Sequence, residues 1–352
     1  MVITQAPSAQ ADRPRGTAVL QIRSRFLSER LPYQIIATEA TAKGKALSQP
    51  VCTLFRPKLL MICGSHSQSP LLAAEVPAWR PIRWFEGAPR VLANDKAKDI
   101  DSVLVREQTE GLSYARGKGE VNAAGEAYDT MQITRRGTER VNRFAFQLAQ
   151  QRKRKRGHAR LTCIDKANVF ISMVFFRDVF NDVAQGFGEI QADHAYVDAM
   201  ALTMVAKPWT LDVLVTENMV GDIMSDLAAG LIGGMGTAPS ADIGDDHGLF
   251  QPAHGTAPDV AGQDKANPGA MFPSGAMVLD WLADRHDEPA LAAPARRIEQ
   301  ALEHVLASGA VRPMEYISCV SPRASTPRTS STERQALPRD EPLARRGRSP
   351  TM

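Results

Sequence analysis

Short apolar runs alternate with longer stretches of helical period along the middle of the chain. Ile100–Val105, Leu161–Ile164 and Leu211–Val215 are rich in valine, leucine and isoleucine and have the length of buried strands. Between and after them the period lengthens. Residues 136–155 place Val141, Phe144, Ala145 and Leu148 on one stripe, and residues 169–183 gather Phe170, Phe175, Phe176 and Phe180. Residues 195–204, 217–229, 269–283 and 289–307 are also predicted as helices. Before residue 77 the pattern is poor: Val19–Ile22, Tyr33–Ile36 and Leu59–Cys63 are candidate strands with no helical period between them. Residues 79–90 are punctuated by proline and glycine and carry no predicted element, and residues 250–267, dense in glycine, proline and alanine, are predicted as a loop. From Ile317 the chain is Ser-, Thr-, Pro- and Arg-rich, has almost nothing to bury, and is predicted to be disordered.

Composition narrows the classes. A chain of 352 residues with 43% hydrophobic content can fill two cores or one large one. A net charge of +3 is too small to imply a polyanionic partner. The run Arg152–Arg156 reads as cations at a helix C-terminus, with Gly157 as the cap, and not as a nucleic-acid patch. The four cysteines lie far apart, which argues against a zinc site or a disulfide framework and suits a reducing compartment. No run has transmembrane length and the start lacks a signal-peptide layout, so no membrane partner and a cytoplasmic location are expected. Neither a GxGxxG fingerprint nor a GxxxxGK[ST] phosphate loop occurs.

The candidate chemistry centres on the helix after Leu211–Val215. Asp222 and Asp226, four residues apart, leave the same face one turn apart and repel; a divalent cation between them reverses the sign of that interaction. The bland alternative is a solvated acidic face. Asp198, at a helix start, is a third candidate ligand. Arg80, Arg83, Arg90 and Arg106 carry the planar fork that grips carboxylates. Lys166, just past a strand, is a candidate base, with a surface lysine as the alternative. Within 250–267, His254, Asp259 and Asn267 stand among small residues that let a flat ring approach, and an acid there accepts hydrogen bonds from a ribose diol.

The segments VREQTEG, DKANV, YVDAM, TENMVGDIMSDLAAGLIGGMG, APSADIGDDH and HGTAPDVAG…ANP, over residues 79–315, together resemble the metal-dependent β-decarboxylating hydroxyacid dehydrogenases. This family includes the isopropylmalate, isocitrate, homoisocitrate and tartrate/D-malate enzymes. The resemblance implies an α/β, isopropylmalate-dehydrogenase-like two-domain fold, not a Rossmann fold, with the N- and C-terminal segments sharing one domain. The implied division is 1–87 plus 236–316 on the cofactor side, 88–235 as the middle domain with the metal site and dimer interface, and 317–352 as a tail. It further implies a homodimer with shared active sites. Asp222 and Asp226 hold Mg2+ or Mn2+, joined by Asp198 of the partner subunit. Arg80, Arg90 and Arg106 bind the substrate carboxylates, and Lys166, again from the partner, is the base. Asn168, His254, Gly255, Thr256, Ala257, Pro258, Asp259 and Asn267 bind NAD, with Asp259 choosing NAD over NADP. The expected reaction is NAD-dependent oxidative decarboxylation of a 2-hydroxy dicarboxylic acid of the 3-isopropylmalate type. The alternatives are a tartrate or D-malate enzyme, or a non-catalytic remnant that still dimerises.

The sequence departs from that family pattern in three places. The family's proton-donating tyrosine falls two residues after the TEG glycine; here that position is Ser113, and Tyr114 follows. Tyr114 is the candidate proton donor; a one-residue shift in extended chain turns its side chain to the other face, so unless the local backbone bulges to restore it the final protonation is expected to be impaired. Residues 1–77 lack the family's GDGIGPE-like opening, and the segment after Arg312–Pro313 lacks its GGT-like close. Shifted reading frames or a decayed gene are the expected origin, with poor soluble expression and weak NAD binding as consequences.

Overall fold

The structure, a computed structural model, describes residues 59–61, 77–245, 248–255, 266–309 and 313. Its strands are β1 (Leu59–Met61), β2 (Ala78–Arg83), β3 (Asp101–Arg106), β4 (Glu120–Val121), β5 (Ala127–Tyr128) and β6 (Arg160–Asp165), then β7 (Gln191–Tyr196), β8 (Val213–Thr216), β9 (Pro239–Ile243) and β10 (Gly248–Pro252). The α-helices are α1 (Arg135–Arg156), α2 (Ile171–Ala184), α3 (Val197–Ala206), α4 (Asn218–Leu231), α5 (Met271–His286) and α6 (Ala292–Ser308). An eight-stranded mixed sheet runs β1-β10-β9-β2-β3-β8-β6-β7, and β4 and β5 pair separately.

The valine-rich runs form the middle of this sheet because both of its faces are covered. β3, β8, β6 and β7 are parallel, with Val103 opposite Val213 and Leu104 opposite Leu214. Alternate residues therefore feed two cores. Val103, Val105, Val213, Val215, Leu161 and Cys163 pack with Val141, Ala145 and Phe146 of α1 and Phe176 and Phe180 of α2. Leu104, Leu214 and Ile164 turn the other way, against Met200 and Met204 of α3 and Val220 and Met224 of α4. β9 and β10 are covered by α5 and α6 through Ala241, Phe250, Val278, Leu282 and Ile298.

Helix ends follow the local chemistry. Thr134 caps α1 by accepting from Gly137 N–H at 3.1 Å, and Gly157 ends it at φ 82, a conformation few other residues take. The basic run at this end does more than meet the dipole: Arg152 Nε donates to Asp212 at 2.6 Å, and Lys153 Nζ donates to the Glu189 carbonyl at 2.5 Å.

Three segments differ from expectation. β2 lies in a stretch for which no strand was predicted, because Pro81 tends to exclude strands. Here Val103 N–H points to Asp212 O of the β8 side at 2.7 Å, so the nitrogen of Pro81 opposite it also points away from β3. On that other side, pairing with β9 stops at Trp79, so no ladder bond is lost. Phe250–Pro252 belongs to β10 and not to a loop. β7 was not predicted because QADHAY, at the sheet edge, has no apolar alternation. The candidate strands Val19–Ile22 and Tyr33–Ile36 and the tail from Ile317 lie outside the described residues.

Candidate active site

Parallel strands that end side by side place their following residues on one edge. Arg106 closes β3, Glu217 and Asn218 follow β8, Lys166 follows β6, and Asp198 opens α3 directly after β7. α4 starts at this edge because the buried Glu217 caps it, accepting from Met219 N–H at 3.1 Å and Val220 N–H at 2.8 Å. Burial pushes the Glu217 carboxyl up, and these two backbone donors and Arg106 oppose that rise.

Two arginines lie against α4. Alternation along β2 sends Arg80 to the α4 side, while Arg83 faces α6 and pairs with Glu299 at 2.7 Å and Glu303 at 2.9 Å. Arg80 Nη1 donates to Ser225 Oγ at 2.5 Å and stands 3.5 Å from Asp226 Oδ1; its Nη2 is 4.0 Å from Asp222. Arg106 pairs with Asp222 through Nη1 and donates from Nη2 to Asn218 Oδ1 at 2.6 Å. Gly221 permits that approach, since a Cβ there would meet Arg106 Cγ at 2.6 Å. Burial lowers the Arg106 guanidinium from its ordinary range, and Arg80 beside it adds to the effect, while Asp222 opposes it. The Nε atoms of both arginines and Nδ2 of Asn218 are buried without a hydrogen-bond partner, so donors are available for an anion. A cleft of about 610 Å³ opens beside them, lined by Arg106, Ser113, Arg116, Asn218 and Asp222 among others.

Asp222 and Asp226 thus share one face with hard oxygen donors, a set that suits Mg2+ or Mn2+. Among the described residues no group of three or more His, Cys, Asp or Glu gathers in one chain. Asp198 instead accepts from Lys166 Nζ at 2.6 Å, and that hydrogen bond holds its carboxyl below the usual range. The structure therefore brings together Asp222, Asp226, Arg80 and Arg106 as one group, and Lys166 with Asp198 as another. Arg90 joins neither; it pairs with Asp95 at 2.5 Å.

Tyr114 sits in a 3-10 turn, Leu112–Ala115, with Lys118 Nζ 3.4 Å over its ring. Ser113, not Tyr114, is among the cleft-lining residues. Asn168 is exposed in the turn between β6 and α2. His254 Nδ1 lies 2.8 Å from the carbonyl of exposed Gly255, and Asn267 Oδ1 accepts from Gly269 N–H at 2.9 Å. Thr256, Ala257, Pro258 and Asp259 lie outside the described residues.

Sequence reasoning missed Ser225, Asn218 and Asp242. Asp242 is buried on β9, accepts from Gln108 Nε2 at 2.6 Å, and has its carboxyl raised to about 6 by burial, against Gln108, Arg80 and Arg106, which lower it. Register explains its place: Asp242 is opposite Ala78, and Ala78 is opposite Arg106. Nothing local in the sequence signals such a pairing across three strands.

An α/β sheet that sets Arg80 and Arg106 against a helix bearing Asp222 and Asp226 has the groups to bind a small acid and a cation. The match to known proteins is more specific: the isocitrate/isopropylmalate dehydrogenase family matches residues 76–316, and the chain belongs to that family. It is 43% identical over 235 residues to a 3-isopropylmalate/3-methylmalate dehydrogenase of Methanocaldococcus jannaschii, covering 66% of this chain and 66% of that protein. A 3-isopropylmalate dehydrogenase of Moorella thermoacetica is 40% identical over 263 residues, covering 74% of this chain and 70% of the other. Among solved structures, isocitrate dehydrogenase from Methylococcus capsulatus matches with a TM-score of 0.62 at 32% identity, over 74% of this chain and 76% of that one. The match supports the isopropylmalate-dehydrogenase-like α/β fold.

Proposed function

We propose that the chain is a divalent-metal- and NAD-dependent dehydrogenase that oxidises and decarboxylates a 2-hydroxy dicarboxylic acid of the 3-isopropylmalate type. The observation that carries this reading is the packing of Arg80 and Arg106 over Asp222 and Asp226 beside the cleft. When bound, the cation would lend its charge to the hydroxyl and neighbouring carboxylate, and nicotinamide would accept the hydride. Asp222 and Asp226 would hold the cation, with Asp198 of the second copy completing the donor set. Arg80 and Arg106 would turn from these carboxylates to those of the substrate, where their forks fix orientation. Lys166 of the second copy would take the hydroxyl proton. Asn168, His254 and Asn267, with residues 255–259, would hold the NAD. The division into a middle part, 88–235, and a cofactor-side part containing both chain ends belongs to the same proposal.

A second copy has a surface to meet. Ile223 on α4, Leu202 on α3 and Ile171 on α2 are 62%, 71% and 87% exposed, and Met219, Val205 and Val174 are also exposed. The exposed apolar side chains on the adjacent helices α3 and α4, with those of α2 besides, suit a symmetric dimer.

A second reading, a dimer with little or no activity, is favoured by one observation: Tyr114 is not in the cleft. NADH formation from isopropylmalate, tartrate and D-malate, with and without Mn2+, tests both. Manganese-dependent turnover of one acid is expected; none with any acid refutes the enzyme reading.

A further inference from the structure

The turn that carries Lys166 rests on an ion pair that the proposed chemistry does not use. Asp165, the last residue of β6, is 0% exposed. Its parity along the strand turns it to the α2 side, opposite to Ile164. There Arg177 grips it with both arms of the fork, Nε to Oδ2 at 2.8 Å and Nη2 to Oδ1 at 2.6 Å. The same Oδ1 accepts from Ala167 N–H at 2.9 Å. The carboxylate therefore anchors the peptide after Lys166 while belonging to the residue before it. The Lys166 carbonyl accepts from Val169 N–H at 2.9 Å and Phe170 N–H at 3.1 Å, which closes the turn.

Arg177 also reaches the neighbouring strand. Asp165 lies opposite Tyr196 in the β6–β7 register, and Tyr196 precedes Asp198 by two residues. The Arg177 guanidinium lies 5.2 Å from the centroid of the Tyr196 ring, and Lys166 Nζ lies 6.0 Å from the same centroid. One side chain thus touches both segments that present the Lys166–Asp198 pair. Stability alone does not explain it: only Asp165 is fully buried, replacing such a pair by apolar residues of similar volume is often neutral or stabilising, and Leu161 and Cys163, on the same face of β6, are apolar.

We propose that Asp165 and Arg177 are positioning residues for Lys166: the fork fixes the carboxylate that ties down the DKAN turn, and its contact with Tyr196 holds the start of α3 so that lysine and Asp198 meet. This rests on the reading of Lys166 as the base. The geometry of the fork matters, since a lysine at 177 keeps the charge but supplies a single point contact.

The test compares the wild-type dimer with Arg177→Lys and with the double variant Asp165→Asn/Arg177→Gln, which leaves no lone buried charge if the single variant fails to fold. Reductive methylation of the full chain, read by mass spectrometry, reports Lys166 against the exposed Lys207. The expected result is faster labelling of Lys166 relative to Lys207. The same variants should show kcat lowered about a hundredfold and KM for the hydroxy diacid changed by less than about twofold. An unchanged labelling ratio with unchanged kcat, whatever happens to Tm, overturns the proposal. Lys166→Met separates the two levels. If it keeps wild-type kcat, the base reading fails, and the labelling ratio, which needs neither metal nor NAD, still decides whether the pair positions the lysine.

Discussion

A single residue offset governs the chemistry expected of the cleft. Ser113 lines it, while Tyr114 is held by the Lys118 ammonium outside it. A serine hydroxyl is shorter than a phenol and a weaker acid, so it is a poor proton donor for the last step. Ser113→Tyr is expected to raise kcat by about tenfold or more, and steady-state NADH formation checks it. Asp242 sets a second residue-scale effect. Its folded value of about 6 exceeds the ordinary 3.8, so between these pH values the native state keeps a proton that the unfolded state has lost. Its contribution to stability therefore falls as pH rises through that window. Asp242→Asn removes the penalty: urea melts should show its advantage over wild type growing by about 2–3 kcal/mol from pH 4 to pH 7. A difference that stays flat with pH would show that this carboxyl is not perturbed.

At the scale of elements, α4 is held by contacts that only a small residue allows. Gly221→Ala would improve helix propensity by about 1 kcal/mol, but its Cβ would meet the Arg106 side chain at 2.6 Å. Overpacking of that kind costs about 1–3 kcal/mol, and Arg106 would be displaced from Asp222 and Asn218. A KM increase of about tenfold with little change in Tm is expected from substrate titrations and melts. α4 was also the most legible element in the sequence: its period, the small residues after it and Asp222 with Asp226 lie within one stretch, and the observed Asn218–Leu231 nearly coincides with the expected 217–229. α1 was legible for the same reason, with Gly157 marking its end. β2 and β7 were not, because the first carries Pro81 and the second has no apolar face; each is a strand only through its neighbours. The Asp165–Arg177 pair was equally hidden, since it joins a strand to a helix across a turn. Residue types named the candidate site, but which of them meet depends on strand order: Lys166 and Asp198 come together across β6 and β7, and Arg90 turns instead to Asp95.

At the scale of the whole molecule, one chain carries two half-sets of chemical groups. Asp222 and Asp226 stand with the arginines, and Lys166 stands with Asp198. In the proposed dimer, the exposed apolar side chains of α3 and α4 would join half-sets from two copies. Replacing Leu202 and Ile223 by Asp should therefore convert the dimer to monomers, seen by sedimentation, and should abolish turnover even though no proposed catalytic residue is touched. Retained dimerisation would show that another face is used.

The most direct test of a site shared between copies is complementation. Lys166→Met and Asp226→Asn chains, each inactive alone, are unfolded together and refolded as a mixture. If the lysine of one copy serves the carboxylates of the other, mixed dimers contain one intact site, and activity should return to about a quarter of wild type. A mixture as inactive as its parents, with mixed dimers demonstrated by mass spectrometry, would contradict the account.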